Sequence, residues 1–291
     1  MTSKRRQRRI AWRHPAVAAT LLGTLLLAGC GSFGNSSSAE KDDTVYTPSQ
    51  SNLTSLTEVI EKHPDDPQAY NMRGSVLAQA GKTEEALADF NKAVSLDPNY
   101  GQTYANRGLI YRKTRRLDQA MADYNRALTL DANYAPAWLG RGMVYKERKQ
   151  AAEALEDFNK AISLRPDNAE AYYNRGLLYQ GEKQHQFAID DFTAASGLVP
   201  QQAEPLLGRA LSYLALDKAR EAAADLDEAV QADPQNAQIW ITRGLAYERL
   251  GDKTKAAGSY GRAINLRPKD EAARSGFTRV GGKPGQSYDT F

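Results

Sequence analysis

An arginine followed by a small residue returns at Arg73-Gly74, Arg107-Gly108, Arg141-Gly142, Arg175-Gly176, Arg209-Ala210 and Arg243-Gly244, each 34 residues after the last. No insertion or deletion breaks the spacing. A fixed period of this length marks one supersecondary unit stacked on copies of itself, each burying a face that its neighbours supply. The 291 residues therefore predict an elongated array, where length alone suggests one or two globular domains.

With Pro67 as position 1, the copies occupy 67–100, 101–134, 135–168, 169–202, 203–236 and 237–270. Position 4 is large (Tyr70, Tyr104, Trp138, Tyr172, Leu206, Trp240), and so is position 24 (Phe90, Tyr124, Phe158, Phe192, Leu226, Tyr260). Position 11 is Leu77 and then tyrosine, from Tyr111 to Tyr247. Positions 20 and 27 are alanine throughout, from Ala86 and Ala93 to Ala256 and Ala263. Positions 4, 8 and 11 share one helical face, and 20, 24 and 27 another. Two antiparallel helices, A and B, are predicted to approach closely at the small residues, with the aromatics filling the gaps. Proline at position 32, replaced only by Ala132, cannot continue a helix and separates the units. The pattern resembles the tetratricopeptide repeat (TPR). The resemblance implies an all-α TPR solenoid of six helix-turn-helix repeats over 67–270.

The ends follow from the register. Residues 52–66 form a half repeat, a lone helix B over Leu53–Lys62 with Leu56 and Val59 at positions 24 and 27, which covers repeat 1. Residues 271–280 continue the register as a capping helix whose Arg274, Thr278 and Arg279 suit solvent. Gly281-Gly282 stops it, and 281–291 is expected to be a disordered tail.

The net charge of +3 belongs to the leader. Lys4, Arg5, Arg6, Arg8, Arg9 and Arg13 precede Cys30 with no acid among them; without them the 35 acidic residues outnumber the basic ones. That removes the compositional argument for nucleic-acid binding. The apolar run Ala16–Ala28 is too short for a stable transmembrane helix but suits the core of a signal peptide over 1–29. Leu27-Ala28-Gly29-Cys30 resembles the lipobox of bacterial lipoproteins. The resemblance implies cleavage before Cys30, a lipidated thiol, and, with Gly31 rather than Asp next, the outer membrane facing the periplasm. Residues 30–51 then serve as a flexible tether spanning roughly 25 Å. A single cysteine excludes an internal disulfide.

No catalytic or metal-binding motif is present. His63 and His185 lack ligand or triad spacing, and no phosphate loop, nucleophile elbow or zinc-protease motif occurs. No enzyme activity, cofactor, small-molecule substrate or metal is expected. Position 7 is arginine in every copy and position 23 is aspartate in five (Asp89, Asp123, Asp157, Asp191, Asp225), with Ser259 last. This reads either as an ion pair bridging the two helices of each repeat, with sharing open to the next repeat, or as an arginine ladder for an anionic ligand; the matching aspartates favour the bridge.

In TPR proteins, helix-A positions 2, 5, 9, 12 and 13 face the concave surface. By that resemblance, positions 5 and 9 of repeats 3–6 place Leu139, Met143, Tyr173, Leu177, Leu207, Leu211, Ile241 and Leu245 on one apolar stripe. The stripe is either an open peptide-binding groove or packing between repeats, position 9 especially. Arg112, Lys113 and Lys146 at positions 12–13 are candidate anchors for an acidic partner, set against a solvated turn region. Asn106 and Asn174 alone carry asparagine at position 6, so a full carboxylate clamp is not reproduced.

The Arg-Gly pairs with acidic residues in helix B are similar to those of NlpI-type TPR lipoproteins, adaptors for peptidoglycan hydrolases and an envelope protease. That implies a membrane-tethered scaffold recruiting other envelope proteins. The alternative is a pilotin-like TPR lipoprotein assisting secretin and type IV pilus assembly, which copy number and lipobox suit equally.

Overall fold

The computed structural model describes residues 50–283. The expected leader, Cys30, the tether up to residue 49 and the tail from residue 284 lie outside the described residues. All regular structure among the described residues is helical, in fourteen α-helices. The A helices are α2 (Pro67–Gln79), α4 (Gly101–Lys113), α6 (Ala135–Glu147), α8 (Ala169–Gly181), α10 (Ala203–Ala215) and α12 (Ala237–Arg249). The B helices are α3 (Thr83–Leu96), α5 (Leu117–Leu130), α7 (Ala151–Leu164), α9 (His185–Leu198), α11 (Ala219–Ala232) and α13 (Lys253–Leu266). Flanking them are α1 (Gln50–Lys62) and α14 (Glu271–Arg279).

Each A helix ends in the same way. The amide at position 16 donates to the carbonyl at position 11 over 2.8–3.0 Å, as from Arg116 to Tyr111 and from Gln184 to Tyr179. Position 15 therefore sits in the left-handed region: Gly81 and Gly251, but also Arg115, Lys149, Lys183 and Asp217 with φ of 58–64°. This closure consumes helix-end carbonyls and turns the chain back on itself. Between repeats, the carbonyl at position 32 accepts a bond from the polar tip at position 4: Trp138 Nε1 donates to Ala132 at 2.8 Å and Trp240 Nε1 to Pro234 at 2.9 Å. The joint uses a carbonyl, which is why Ala132 serves there as well as proline.

Helices A and B meet where position 8 is small. A Cβ on Gly74 would lie 2.9 Å from the Phe90 ring, and one on Gly244 2.7 Å from Tyr260. All six side chains at position 24 are at most 2 % exposed, each burial stabilising by about 2–3 kcal/mol. Three of these rings also press on the next A helix, at Gly140, Gly208 and Gly276; a Cβ on Gly140 would fall 2.3 Å from Tyr124. Position 6 is thus glycine in repeats 3 and 5 and in α14.

The position-7 arginines clamp three helices together. Nε and Nη2 of Arg73, Arg107, Arg141, Arg175 and Arg209 donate to both carboxylate oxygens of the position-23 aspartate of the same repeat, at 2.6–2.8 Å. Nη1 reaches back to position 25 of the preceding helix B: Asn91 at 2.7 Å, Asn125 at 2.9 Å, Asn159 at 2.7 Å. The bridge is therefore shared with the repeat before. The aspartate hydrogen bonds push these five guanidinium groups above their usual range. Rings at positions 4 and 11 flank Arg107, Arg141 and Arg175, as Trp138 does Arg141 at 4.7 Å from its centroid. No guanidinium is left over for an anion ladder.

Consecutive A helices touch one another, whereas consecutive B helices do not. The A helices therefore line the inner side of the curve. At its start, α1 begins at Gln50, inside the segment expected to be tether. Thr57 occupies position 25 and accepts from Arg73 Nη1 at 3.3 Å, so the register of the half repeat is as the sequence predicts. The covering face is different. Leu53 and Ile60, at positions 21 and 28, pack on repeat 1, while Val59 is 40 % exposed. Positions 24 and 27 of a B helix face their own helix A, and α1 has none before it among the described residues.

Candidate peptide-binding surface

The A-helix stripe lies on the inner side, but its two rows differ. At position 5, Leu139 and Ile241 are each only 8 % exposed, Leu207 packs against the C-terminal core, and Tyr173 leans on Phe192 with ring centroids 5.8 Å apart. At position 9, Leu211 is 38 % exposed and Leu109 36 %; Met143, Leu177 and Leu245 are half-buried. Position 9, the row suspected of packing, is the more open one. Position 5 is covered by packing: Tyr173 on Phe192 of its own repeat, and Leu139 in one cluster with Phe158 and with Ala171 of the next repeat.

Two cavities open along the stripe. One of about 270 Å³ lies between repeats 2 and 3 and is lined by Leu109, Leu139, Met143, Asn106 and Arg112, with Glu170 at its edge. The other, about 430 Å³, lies between repeats 4 and 5, with Tyr173, Val199 and Pro205 as walls and the exposed carboxylates of Glu170 and Glu204 at its rim. Those two acids stand at position 2, which the resemblance puts on the concave face but where the sequence reading named no residue. Leu109 escaped as well, because Ala105 beside it broke the apolar pair.

The three cations proposed as anchors have different surroundings. Arg112 donates to Glu147 at 2.9 Å, Arg115 shares that carboxylate at 2.7 Å, and Arg112 Nε is buried without a partner. Lys146 Nζ donates to Asn174 Oδ1 at 2.5 Å; burial, then the charge of Arg112, lowers its pKa. Of the three, only Lys113 stands exposed. Glu147, one position beyond Lys146 in sequence, neutralises a cation 35 residues away. Burial pushes the nearby Tyr124 hydroxyl up to about 12. Asn106 does not extend toward solvent alone: its amide bonds Asn71 Oδ1 at 3.0 Å. Among the described residues no three potential metal-ligating side chains gather, and no helix is long and apolar enough to cross a membrane.

Family models described as tetratricopeptide repeat match residues 67–100, 101–134, 169–201 and 207–271, and one described as TPR repeat matches 142–182. The chain belongs to the TPR family. No curated protein matches it. Among solved structures, this TPR protein is similar to the APC/C Cut9–Hcn1 assembly (18 % identity, TM-score 0.68), covering 80 % of its own length but only 46 % of that chain. It is similar to PilF of Pseudomonas aeruginosa (22 %, TM-score 0.67, 73 % of this chain and 97 % of that one). A third likeness is to YrrB, described as a TPR protein with an unusual peptide-binding site (24 %, TM-score 0.56, 64 % and 96 %). At these identities the likeness concerns the fold. TPR proteins bind other proteins or peptides, so the coarse function is that of an interaction scaffold.

Proposed function

We propose that this TPR protein is a cell-envelope adaptor, lipidated at Cys30 and tethered to the outer membrane on the periplasmic side. On this reading it recruits peptidoglycan-remodelling or proteolytic enzymes by binding an extended or helical peptide along the A helices. The observation that carries it is the inner apolar row, with Leu109 and Leu211 open to solvent and cavities between repeats 2–3 and 4–5. Exposed apolar side chains aligned across successive helices cost solubility unless a partner covers them.

The alternative, a pilotin-like lipoprotein assisting secretin and type IV pilus assembly, is supported by the likeness to PilW, described as a type IV pilus biogenesis factor (16 % identity, TM-score 0.64, 72 % of this chain and 97 % of that one). The test is a pull-down from solubilised envelopes with wild type beside Leu109→Asp/Leu211→Asp. Both positions are exposed, so the double variant keeps its helical circular dichroism. Loss of a murein hydrolase or protease in the variant supports the adaptor; loss of a secretin supports the alternative. Equal recovery of partners by both forms would overturn the groove.

A further inference from the structure

The two ends of the array are unlike and complementary. Among the described residues, α1 is a helix B with no helix A before it, and α14 is a helix A with no helix B after it. The face that α1 would turn toward a helix A carries half-buried Leu56 and Val59, which is 40 % exposed. The face that α14 would turn toward a helix B carries Arg274 and Thr278, both exposed, at positions 4 and 8. We propose that a second copy of this chain covers both, docked head to tail so that α14 of one copy and α1 of the next complete a repeat.

Size is the first argument. Within the chain, position 8 meets position 24, and the two trade volume: glycine faces an aromatic ring, but where position 8 is Ala210, position 24 is Leu226. At the proposed joint the pair is Thr278 and Leu56, again a side chain larger than glycine opposite leucine rather than a ring.

Charge is the second. Position 26 lies over position 4 inside a repeat, as the Arg126 guanidinium lies 5.8 Å from the Tyr104 ring. At the joint these positions are Glu58 and Arg274, an ion pair by register. Around them the tail exposes Arg262, Arg267 and Lys269 against one acid, Glu271, and the head exposes Glu61 and Asp65 against one base, Lys62. Such complementarity steers encounter and fixes register. Because the contact joins unlike surfaces, it leaves one of each free and propagates unless it closes into a ring.

Sedimentation velocity of the full chain tests this across concentration at low and high salt. Wild type should grow in mass with concentration at about 50 mM salt and fall back toward monomer at about 500 mM. Glu58→Arg and Arg274→Glu, both on exposed side chains, should each weaken association by about tenfold or more, and mixing the two variants should recover it, since the mixture restores opposite charges at every joint. Val59→Asp should weaken it without rescue. The groove variant Leu109→Asp/Leu211→Asp should associate as wild type does, which separates this surface from the peptide site. A wild type that stays monomeric at low salt, single variants that associate normally, or a mixture that does not recover would each overturn the proposal.

Discussion

Arg243 makes its ion pair with Asp227 of the preceding repeat, Nε to Oδ1 at 2.7 Å, and donates from Nη1 to Ser259 of its own at 2.7 Å. The other five arginines of the column do the reverse, holding the aspartate of their own repeat and a neutral or hydroxyl acceptor behind. The acid has moved from position 23 to position 25, and the clamp persists because the guanidinium fork reaches both. Tyr247 also donates to Asp227, at 2.6 Å.

Asp227 has a side chain 46 % exposed, against 3 % for Asp157. Asp157→Asn should therefore cost about 3 kcal/mol, because it strands the Arg141 charge away from water. Asp227→Asn should cost about 1 kcal/mol or less, and adding Ser259→Asp should recover most of it by restoring the arrangement of the other repeats. Urea unfolding measures all three.

Gly140→Ala would push a Cβ to within 2.3 Å of the Tyr124 ring. A loss of about 2 kcal/mol or more is expected. Tyr124→Leu in the same chain should relieve the clash, making the double variant more stable than the sum of the single losses. Gly181, with nothing within 4 Å of a Cβ, should instead gain about 0.5 kcal/mol as alanine.

Lys149 and Lys183 hold φ of 61° and 59° at the end of an A helix. An L side chain there costs about 1 kcal/mol. Lys149→Gly and Lys183→Gly should each raise the thermal midpoint, provided the six-residue closure onto Tyr145 and Tyr179 is kept. A fall in both would mean that the lysine side chains contribute more than their backbone strain.

Glu248 accepts from Arg279 at 2.8 and 3.0 Å and from the Tyr260 hydroxyl at 2.6 Å. The Arg279 hydrogen bonds, with help from Tyr260, hold its carboxyl below the usual range. A depressed folded pKa contributes stability that is complete above the unfolded value, about 4.3, and disappears as pH falls through the folded one. Hydrogen exchange of α14 should accelerate in that acidic window. Glu248→Gln should flatten the dependence and cost about 0.5–1 kcal/mol at neutral pH.

The period, the helix pairs and the arginine–aspartate bridge were legible because each is repeated in the same register, so any one copy is read with five others behind it. The half repeat at the head was legible in register but not in facing. Leu56 and Val59 match the inward pattern, yet inwardness at positions 24 and 27 is created by a helix A that α1 does not have. Two of the three anchors are engaged within the array, for a related reason. Arg112 and Lys146 meet Glu147 and Asn174 only across a repeat boundary, at separations where sequence carries no local signal.

The sequence by itself determined what each helix buries against its own partner, since glycine, alanine and aromatic residues at fixed positions settle that contact within 34 residues. Only the tertiary structure decided which residues of the inner row remain open. That depends on how closely successive helices approach, as where Gly140 lets α6 close onto the Tyr124 ring. Leu139 and Leu211 look alike as side chains in a stripe. The curve of the stack buries one and leaves the other open to solvent.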